Sequence, residues 1–323
     1  MSEGRALVTG GAGFIGSHLA EKLLEKGYRV HIIDDLSTGD FKNIAHLESD
    51  KRFEYTIDTI LDSGIMERLV ASTDLVFHLA AAVGVEYVIQ YQLRSLEINL
   101  RGTEIVLEQA SKLKKKVVLF STSEIYGKSV AVPFKEGDDS ILGPTTLTRW
   151  SYAVTKAIDE IMALAFWREQ RLPVVIVRVF NTCGPRQTGQ YGMVLPRFVK
   201  QALSGQPITV FGNGTQTRCF ASVFDVVAGV VRLAECDEAI GEIFNIGSDA
   251  EITIGELAQR VKQLASSSSS IEYVPYERAY GEGFEDMERR VPDLSKIKAL
   301  VGYEPQADLD VIIRSVIEYE RNL

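Results

Sequence analysis

Short apolar runs alternate along the first half of the chain with longer segments whose apolar positions recur every three to four residues, the mark of strands interleaved with amphipathic helices. Arg5–Thr9, Tyr28–Ile33, Phe53–Ile57, Leu75–Leu79, Val117–Ser121 and Val174–Phe180 read as strands. Ser17–Lys26, Ile60–Ala71, Arg94–Leu113 and Arg149–Phe166, the last running on to Arg171, read as the helices between them. Strand–helix alternation of this kind implies an α/β chain built on a doubly wound parallel sheet. Beyond Asn181 the texture changes, because Gly184-Pro185-Arg186, Gly189, Gly192, Pro196 and Gly212-Asn213-Gly214 interrupt the pattern. Loops and short elements are expected there, with Asp225–Glu235 as one more helix, Glu242–Ile246 as one more strand and the serine run Ser266–Ser270 as a solvated loop.

The first strand leads into Gly10-Gly11-Ala12-Gly13-Phe14-Ile15-Gly16 and then a helix. Glycines at G-x-x-G-x-x-G spacing remove the side chains that would keep a pyrophosphate from backbone amides and a helix N-terminus. The second strand ends in Asp34-Asp35, about 20 residues further on, where a carboxylate accepts hydrogen bonds from an adenosine ribose and repels a 2′-phosphate. NAD is therefore expected rather than NADP, held by a Rossmann-type fold. In such sheets ligands lie at the carboxyl ends of the strands. The residues there are Thr9, Asp34, Asp58, Leu79-Ala80-Ala81, Ser121-Thr122-Ser123-Glu124 and Asn181, and the small residues at 80–82 would let a cofactor lie close to the backbone.

Tyr152 and Lys156 stand four apart in a run without glycine or proline, so on a helix both would face one cleft. A phenol is a poor base at neutral pH, but a cation fixed beside it favours phenolate, which can take a proton from an alcohol as hydride leaves the same carbon. The second half supplies Arg186, Arg197, Arg218, Arg289 and Arg290, each able to meet a pyrophosphate or carboxylate or to form a surface salt bridge.

With 323 residues, 46% hydrophobic and 24% charged, the chain is an ordinary globular protein, and its net charge of -9 without a basic patch speaks against nucleic-acid binding. Three cysteines outside any CxxC and four scattered histidines suit a reducing compartment and no zinc site. With neither a signal-like N-terminus nor an apolar stretch of about 20 residues, a cytoplasmic protein that does not enter a membrane is expected.

Taken together, Thr9-Gly-Gly-Ala-Gly-Phe-Ile-Gly16, Asp34-Asp35-Leu36-Ser37-Thr38-Gly39, His78-Leu-Ala-Ala81, Asn99-x-x-Gly102-Thr103, Tyr152-x-x-x-Lys156, Arg178-x-Phe180-Asn181-x-x-Gly184-Pro185-Arg186 and Arg290-x-x-Asp293 make the chain resemble the extended short-chain dehydrogenase/reductases. Within them it is similar to the nucleotide-sugar epimerases, decarboxylases and dehydratases, over nearly its whole length. The resemblance implies a tightly held NAD, oxidation of the sugar C4 hydroxyl to a ketone, and return of the hydride after the intermediate has reacted. It further implies a Rossmann domain over 1–180, joined by about 219–247, and a smaller C-terminal substrate-binding α/β lobe over 181–323. Tyr152 would be the C4 base, Lys156 would lower its pKa and bind the nicotinamide ribose, and Thr122 would hydrogen-bond the C4 oxygen, with Ser123 and Glu124 beside it. Gly10, Gly13, Phe14, Ile15, Gly16, Asp34, Ser37, Thr38, Asp58, Leu79, Ala80, Ala81, Asn99 and Ser121 would line the NAD site with Tyr152 and Lys156. Asn181, Arg186, Val194, Arg218, Arg290 and Asp293 would meet the nucleotide sugar, the loop 192–196 running along its base. The helices Arg94–Leu113 and Arg149–Arg171 match the pair through which the family forms homodimers.

The reaction that follows the ketone is open at this level. Thr122-Ser123-Glu124 resembles the pattern of UDP-glucuronate decarboxylases, and Thr148-Arg149-Trp150-Ser151-Tyr152 is similar to the bacterial bifunctional decarboxylase of aminoarabinose synthesis. The 4,6-dehydratases carry an Asp where this chain has Ser123, so the acid that expels the C6 hydroxyl is missing. The segment Gly184–Met193 looks more like bacterial epimerases, some acting on UDP-glucuronate. Glu124 could exchange a proton with C5 or hydrogen-bond a hydroxyl as a neutral or paired group. A UDP-sugar 4-epimerase is the leading expectation, with a uronate preferred on the strength of Arg186. UDP-glucuronate decarboxylase and a 4,6-dehydratase stand behind it, and a non-catalytic, redox-sensing NAD module is the alternative outside the enzymes.

Overall fold

The computed structural model describes residues 4–84, 90–189, 193–275, 278 and 287–323. Seven strands form one sheet: β1 (Arg5–Thr9), β2 (Arg29–Asp34), β3 (Phe53–Ile57), β4 (Leu75–His78), β5 (Lys116–Thr122), β6 (Val174–Val179) and β7 (Ile243–Ile246). Their order is β7-β6-β5-β4-β1-β2-β3 and every pairing is parallel. The chain starts at β1 in the middle, winds outward to β3, then returns across β1 to β4, so the strand order reverses between β1 and β4. That reversal opens a crevice at the carboxyl ends of the strands. The four residues of β4 are all buried, as are residues two to seven of β5, because helices cover both faces.

On one face lie α1 (Phe14–Glu25) and, from much later in the chain, Val223–Glu235, sharing a core with Val8, Leu19, Leu23, Ile32, Val227 and Val230. On the other lie α2 (Ser63–Ala71), then α3 (Gln92–Leu96), which passes through one wide π turn, Glu97–Arg101, into α4 (Gly102–Leu113), and the long α5 (Ser151–Gln170). The region expected to be a helix from Ile60 starts only at Ser63, since the Asp62 carboxylate caps it by accepting from the Ile65 amide at 2.9 Å. The helix expected over Arg94–Leu113 is interrupted by the π turn that carries Asn99, while α1 begins three residues earlier than expected, at Phe14.

The second half is more regular than its glycines and prolines suggest. Helices α6 (Val194–Leu203), α7 (Val223–Glu235), α8 (Ile254–Leu264), α9 (Ser295–Val301) and α10 (Leu309–Arg321) follow. Pro196 sits in the first turn of α6, where its missing N–H has no helical acceptor to lose. Thr253 and Glu256 close a capping box on α8. Helices α6, α8 and α10 enclose a second core of Leu195, Phe198, Leu257, Val261, Ile313 and Val316, separate from those of the large sheet. The serine run is not a freely solvated loop. Ser267 Oγ donates to the Ala202 carbonyl at 2.6 Å, Ser269 is buried, and the chain continues into Ile271–Val274, paired in parallel with Ile208–Phe211.

One buried ion pair ties the sheet to α5. Arg178 on β6 donates from Nε and Nη2 to the two oxygens of Glu160, at 3.0 and 2.8 Å, and from Nη1 to the Tyr126 hydroxyl at 3.0 Å. Ser121 Oγ on β5 donates to the same carboxylate, and Tyr126 donates onward to Asn245 on β7 at 2.7 Å. Against its burial, Glu160 and Tyr126 hold the Arg178 pKa above the usual arginine value. Removing one partner leaves the other charge buried and unmatched. Arg178→Met is therefore expected to lose about 3–5 kcal/mol of stability, measured by denaturant unfolding, with Arg178→Met/Glu160→Gln losing less than the two single changes summed.

Candidate active site

A cleft of about 920 Å³ runs across the carboxyl ends of the strands. Its lining includes Gly10, Gly13, Phe14, Ile15, Gly16, Asp34, Ser37, Thr38, Asp58, Leu79, Ala80, Ala81 and Ser121 from the nucleotide-binding half. Thr122, Ser123, Glu124, Tyr152 and Lys156 line its middle, and Asn181, Arg186, Val194, Arg218 and Arg290 come from the loops and helices beyond. Two expected residues stand apart from this lining. Asn99 is a buried strut, its Oδ1 accepting from Ala82 N at 2.7 Å and its Nδ2 donating to Thr155 at 3.2 Å. Asp293 caps the last short helix instead, accepting from Ser295 N at 2.8 Å. Gly192, at the start of the loop expected along the base, lies outside the described residues.

The glycine turn admits nothing larger. A Cβ on Gly16 would lie 2.1 Å from the Gly10 carbonyl oxygen, and one on Gly10, whose φ is +70°, would lie 2.8 Å from Ala80 N. The turn packs against the 79–82 segment, itself pinned by Thr9, whose hydroxyl accepts from the Leu79 and Ala80 amides at 3.2 and 3.1 Å. Helix α1 carries neither a side-chain cap nor an acid in its first turn, and its first internal bond is Ser17 N to Gly13 O. The amides ahead of it are left for an anion at a helix N-terminus. Asp34, at the end of β2, accepts from Ala12 N and Leu36 N, both at 2.9 Å, and so holds the turn while facing the cleft. These features fit a dinucleotide whose pyrophosphate meets α1 and whose ribose meets Asp34.

Tyr152 is half-buried and takes a hydrogen bond from Thr122. Burial above all, and then the charges of Glu124 and Asp159, push its pKa up from the usual tyrosine value. Lys156, expected to lower it, is not among the charges that act on it here. The Lys156 ammonium is ion-paired instead with Asp159, one turn further along α5, at 3.1 Å with both side chains buried. Beneath them, Thr9 accepts from two amides and so gives its hydroxyl proton to His78 Nδ1 at 2.8 Å, leaving Nε2–H to donate to Thr103 at 3.1 Å. Burial and the nearby Lys156 charge hold the His78 pKa down at about 3, so this imidazole stays neutral.

Glu124 follows β5 in a tight turn whose first amide bonds back to the Thr122 hydroxyl. Its carboxylate lies between two guanidinium groups, Arg149 at 2.6 Å and Arg290 at 2.7 Å. Burial alone would raise its pKa, but Arg290 and Arg149 bring it down to about 2. Glu124 is thus ionised and paired. Arg290, expected at the nucleotide, faces Glu124 because residues 291–293 are laced to Phe134 through Val291 O and Asp293 N, each at 2.8 Å. Arg149 carried no role in the sequence reading; its place three residues before Tyr152 was the available signal.

The other arginines separate clearly. Arg186 lines the cleft but its Nη2 lies 2.6 Å from Glu21, whose pKa, raised by burial, is brought down to about 2 by His18 and Arg186. That pairing removes the ground for a uronate preference resting on Arg186. Arg289 makes an exposed pair with Glu251 at 2.7 Å, and Arg197 lies over the Phe211 ring with its guanidinium carbon 4.1 Å from the centroid. Arg218 is buried at the cleft wall and donates to Thr217 O at 2.7 Å, while Asn181 donates to Cys219 O at 3.3 Å.

A doubly wound sheet with a glycine turn at its switch point, and a Tyr–x–x–x–Lys helix across the crevice, defines an NAD-dependent short-chain dehydrogenase/reductase architecture. A family model described as GDP-mannose 4,6 dehydratase matches residues 7–316. Over 99% of this chain and 98% of the relative, the sequence is 44% identical to a UDP-N-acetyl-alpha-D-glucosaminuronate decarboxylase of Bacillus cytotoxicus. It is 35% identical to UDP-glucuronic acid decarboxylase 1 of Danio rerio, over 98% of this chain and 72% of that one. Among solved structures, the UDP-glucuronic acid 4-epimerase of Bacillus cereus in complex with UDP-glucuronic acid and NAD superposes with a TM-score of 0.89 at 30% identity, over 98% and 99% of the two chains. The chain belongs to the extended short-chain dehydrogenase/reductase family of NAD-dependent nucleotide-sugar enzymes.

The Glu124 clamp has a measurable consequence for acid stability. A carboxylate whose pKa falls from 4.5 unfolded to about 2 folded stabilises the protein above pH 4.5 and loses that contribution as pH falls towards 2. Wild type is expected to lose roughly 3 kcal/mol more than Glu124→Gln between pH 6 and pH 2, measured as the pH dependence of the unfolding free energy.

Proposed function

We propose that the chain is an NAD-dependent decarboxylase of UDP-hexuronates, acting through a 4-keto intermediate. The observation that carries this reading is Glu124, held ionised between Arg149 and Arg290 in the cleft that also holds Tyr152. A carboxylate with a pKa of about 2 is no proton donor at neutral pH, which disfavours expulsion of a C6 hydroxyl. The 44% and 35% relatives, both decarboxylases, support the same reading over the 4-epimerase that led the sequence analysis.

In this scheme residues 1–180 with about 219–247 hold the dinucleotide, and the rest of 181–323 grips the nucleotide through Asn181, Val194 and Arg218. Tyr152 takes the proton of the C4 hydroxyl while Thr122 holds the oxygen in place. Bound NAD supplies the acceptor for the C4 hydride, returns it at the end, and brings a positive charge that favours ionisation of the phenol. The 4-keto uronate is a β-keto acid, so the C5–C6 bond breaks with its electron pair delocalised towards the C4 oxygen, which Thr122 and Tyr152 stabilise by hydrogen bonds. Carbon dioxide leaves, a proton is taken up at C5, and a UDP-pentose results. Ser123, buried beside the turn, shapes the wall next to C5.

The 4-epimerase remains the second reading, favoured by the close superposition on the Bacillus cereus enzyme. Proton NMR of the products from UDP-glucuronate and UDP-N-acetylglucosaminuronate separates them. A UDP-pentose with released carbon dioxide is expected; a C4-epimeric uronate without it would overturn the decarboxylase, and no turnover of any UDP-sugar would favour the redox-sensing module. Tyr152→Phe is expected to lower kcat by at least about 100-fold while the bound NAD, released by heat and quantified, stays at wild-type occupancy.

We further infer a homodimer. Helix α5 exposes Ile158 and Ile161, the latter 67% exposed, and α3 exposes Leu93 at 84%, an apolar surface on the pair of helices through which the family dimerises. Light scattering is expected to give twice the chain mass of 35.8 kDa. Among the described residues no helix is long and apolar enough to cross a membrane.

A further inference from the structure

Three acidic or basic side chains of α5 face the sheet at the reacting end of the cleft, and the fold accounts for only one of them. Glu160 is matched by Arg178 and anchors the helix. Lys156 and Asp159 are ion-paired with one another, 3.1 Å apart and 3% and 1% exposed, and the Thr103 hydroxyl also bears on the Asp159 carboxylate. The second oxygen of Asp159, Oδ1, is buried with no hydrogen-bond partner among the described residues. The nearby Thr103 hydroxyl has already given its proton to Asn99 O at 2.7 Å. A buried carboxylate with so few partners is costly, whereas Glu160 is fully matched by Arg178.

Its position along the helix is informative. Tyr152, Lys156 and Asp159 occupy i, i+4 and i+7, so they share one face of the helix, with Lys156 between the other two along it. The phenol and the carboxylate compete for a single cation. We propose that Asp159 is a positioning residue for the reacting pair: it draws the Lys156 ammonium along α5, away from the Tyr152 hydroxyl, and thereby sets how readily the phenol yields its proton. The proposal rests on reading Tyr152 as the base at C4.

The surrounding charges leave that competition to these three groups. From the turn after β5, Glu124 faces Tyr152 but is neutralised by Arg149 and Arg290. From β4, His78 is neutral; from β6, Arg178 is paired with Glu160; and the π turn and α4 contribute only Asn99 and Thr103. Asp159 is among the groups that push the phenol pKa up, after burial and Glu124. Removing its charge favours loss of a proton from the Tyr152–Lys156 pair, whichever of the two carries it.

The test is Asp159→Asn in the NAD-loaded enzyme. Ionisation of Tyr152 is read as tyrosinate absorbance against pH, taken as the difference from the same background carrying Tyr152→Phe. The midpoint is expected to fall by on the order of one pH unit, and to stay within a few tenths of wild type in Asp159→Glu, which keeps the charge. The acid limb of coenzyme reduction after adding a UDP-sugar is expected to move down with it. Should the amide not be tolerated, Asp159→Ser, smaller and neutral, carries the same expectation. A folded, NAD-bound neutral variant whose midpoint is unchanged or higher overturns the proposal. Because the absorbance titration needs no sugar, an epimerase in place of a decarboxylase leaves this result standing, and the two failures are told apart.

Discussion

The structure depends on satisfying charge beneath a helix that must also present a phenol. Helix α5 packs against the sheet through side chains that include Thr155, Lys156, Asp159 and Glu160, all buried. Such groups are tolerated in an interior only when matched. Glu160 achieves this by reaching across β5 to Arg178 on β6, and through Tyr126 to Asn245 on β7. Three strands and one helix are thereby held in register at their carboxyl ends, where the cleft opens. The catalytic geometry is a by-product of this electrostatic fastening.

The cleft itself is arranged as two charge environments. Around α1 there are backbone donors and no competing side-chain cap, an environment for an anion. Beside Tyr152 every ionisable group is already committed: Lys156 to Asp159, Glu124 to two arginines, His78 to two threonines. A phenol in that setting holds its proton.

The second lobe contributes by a different route. Its core of Phe198, Leu257, Val261, Ile313 and Val316 is built from three helices that meet no large sheet. The short strand Thr217–Cys219 carries Arg218 to the far wall, and the segment after residue 287 brings Arg290 back to Glu124. The site therefore closes only when elements from both ends of the chain have folded against each other.

Much of this was determined by local sequence. The glycine spacing from Gly10 to Gly16, the acid at Asp34, the apolar strands and the four-residue step from Tyr152 to Lys156 act over distances that one turn or one strand spans, so the sheet, the glycine turn and the meeting of these side chains in one cleft were legible directly. Glycines and a first-turn proline masked helices of the lobe, among them the one that Thr253 and Glu256 close with a capping box. What only the tertiary structure decided is which charge meets which. Arg290 goes to Glu124, across 166 positions of sequence, Arg186 to Glu21, and Lys156 to Asp159. Coulomb energy depends on separation and burial in space, and a linear chain specifies neither until its cores have closed.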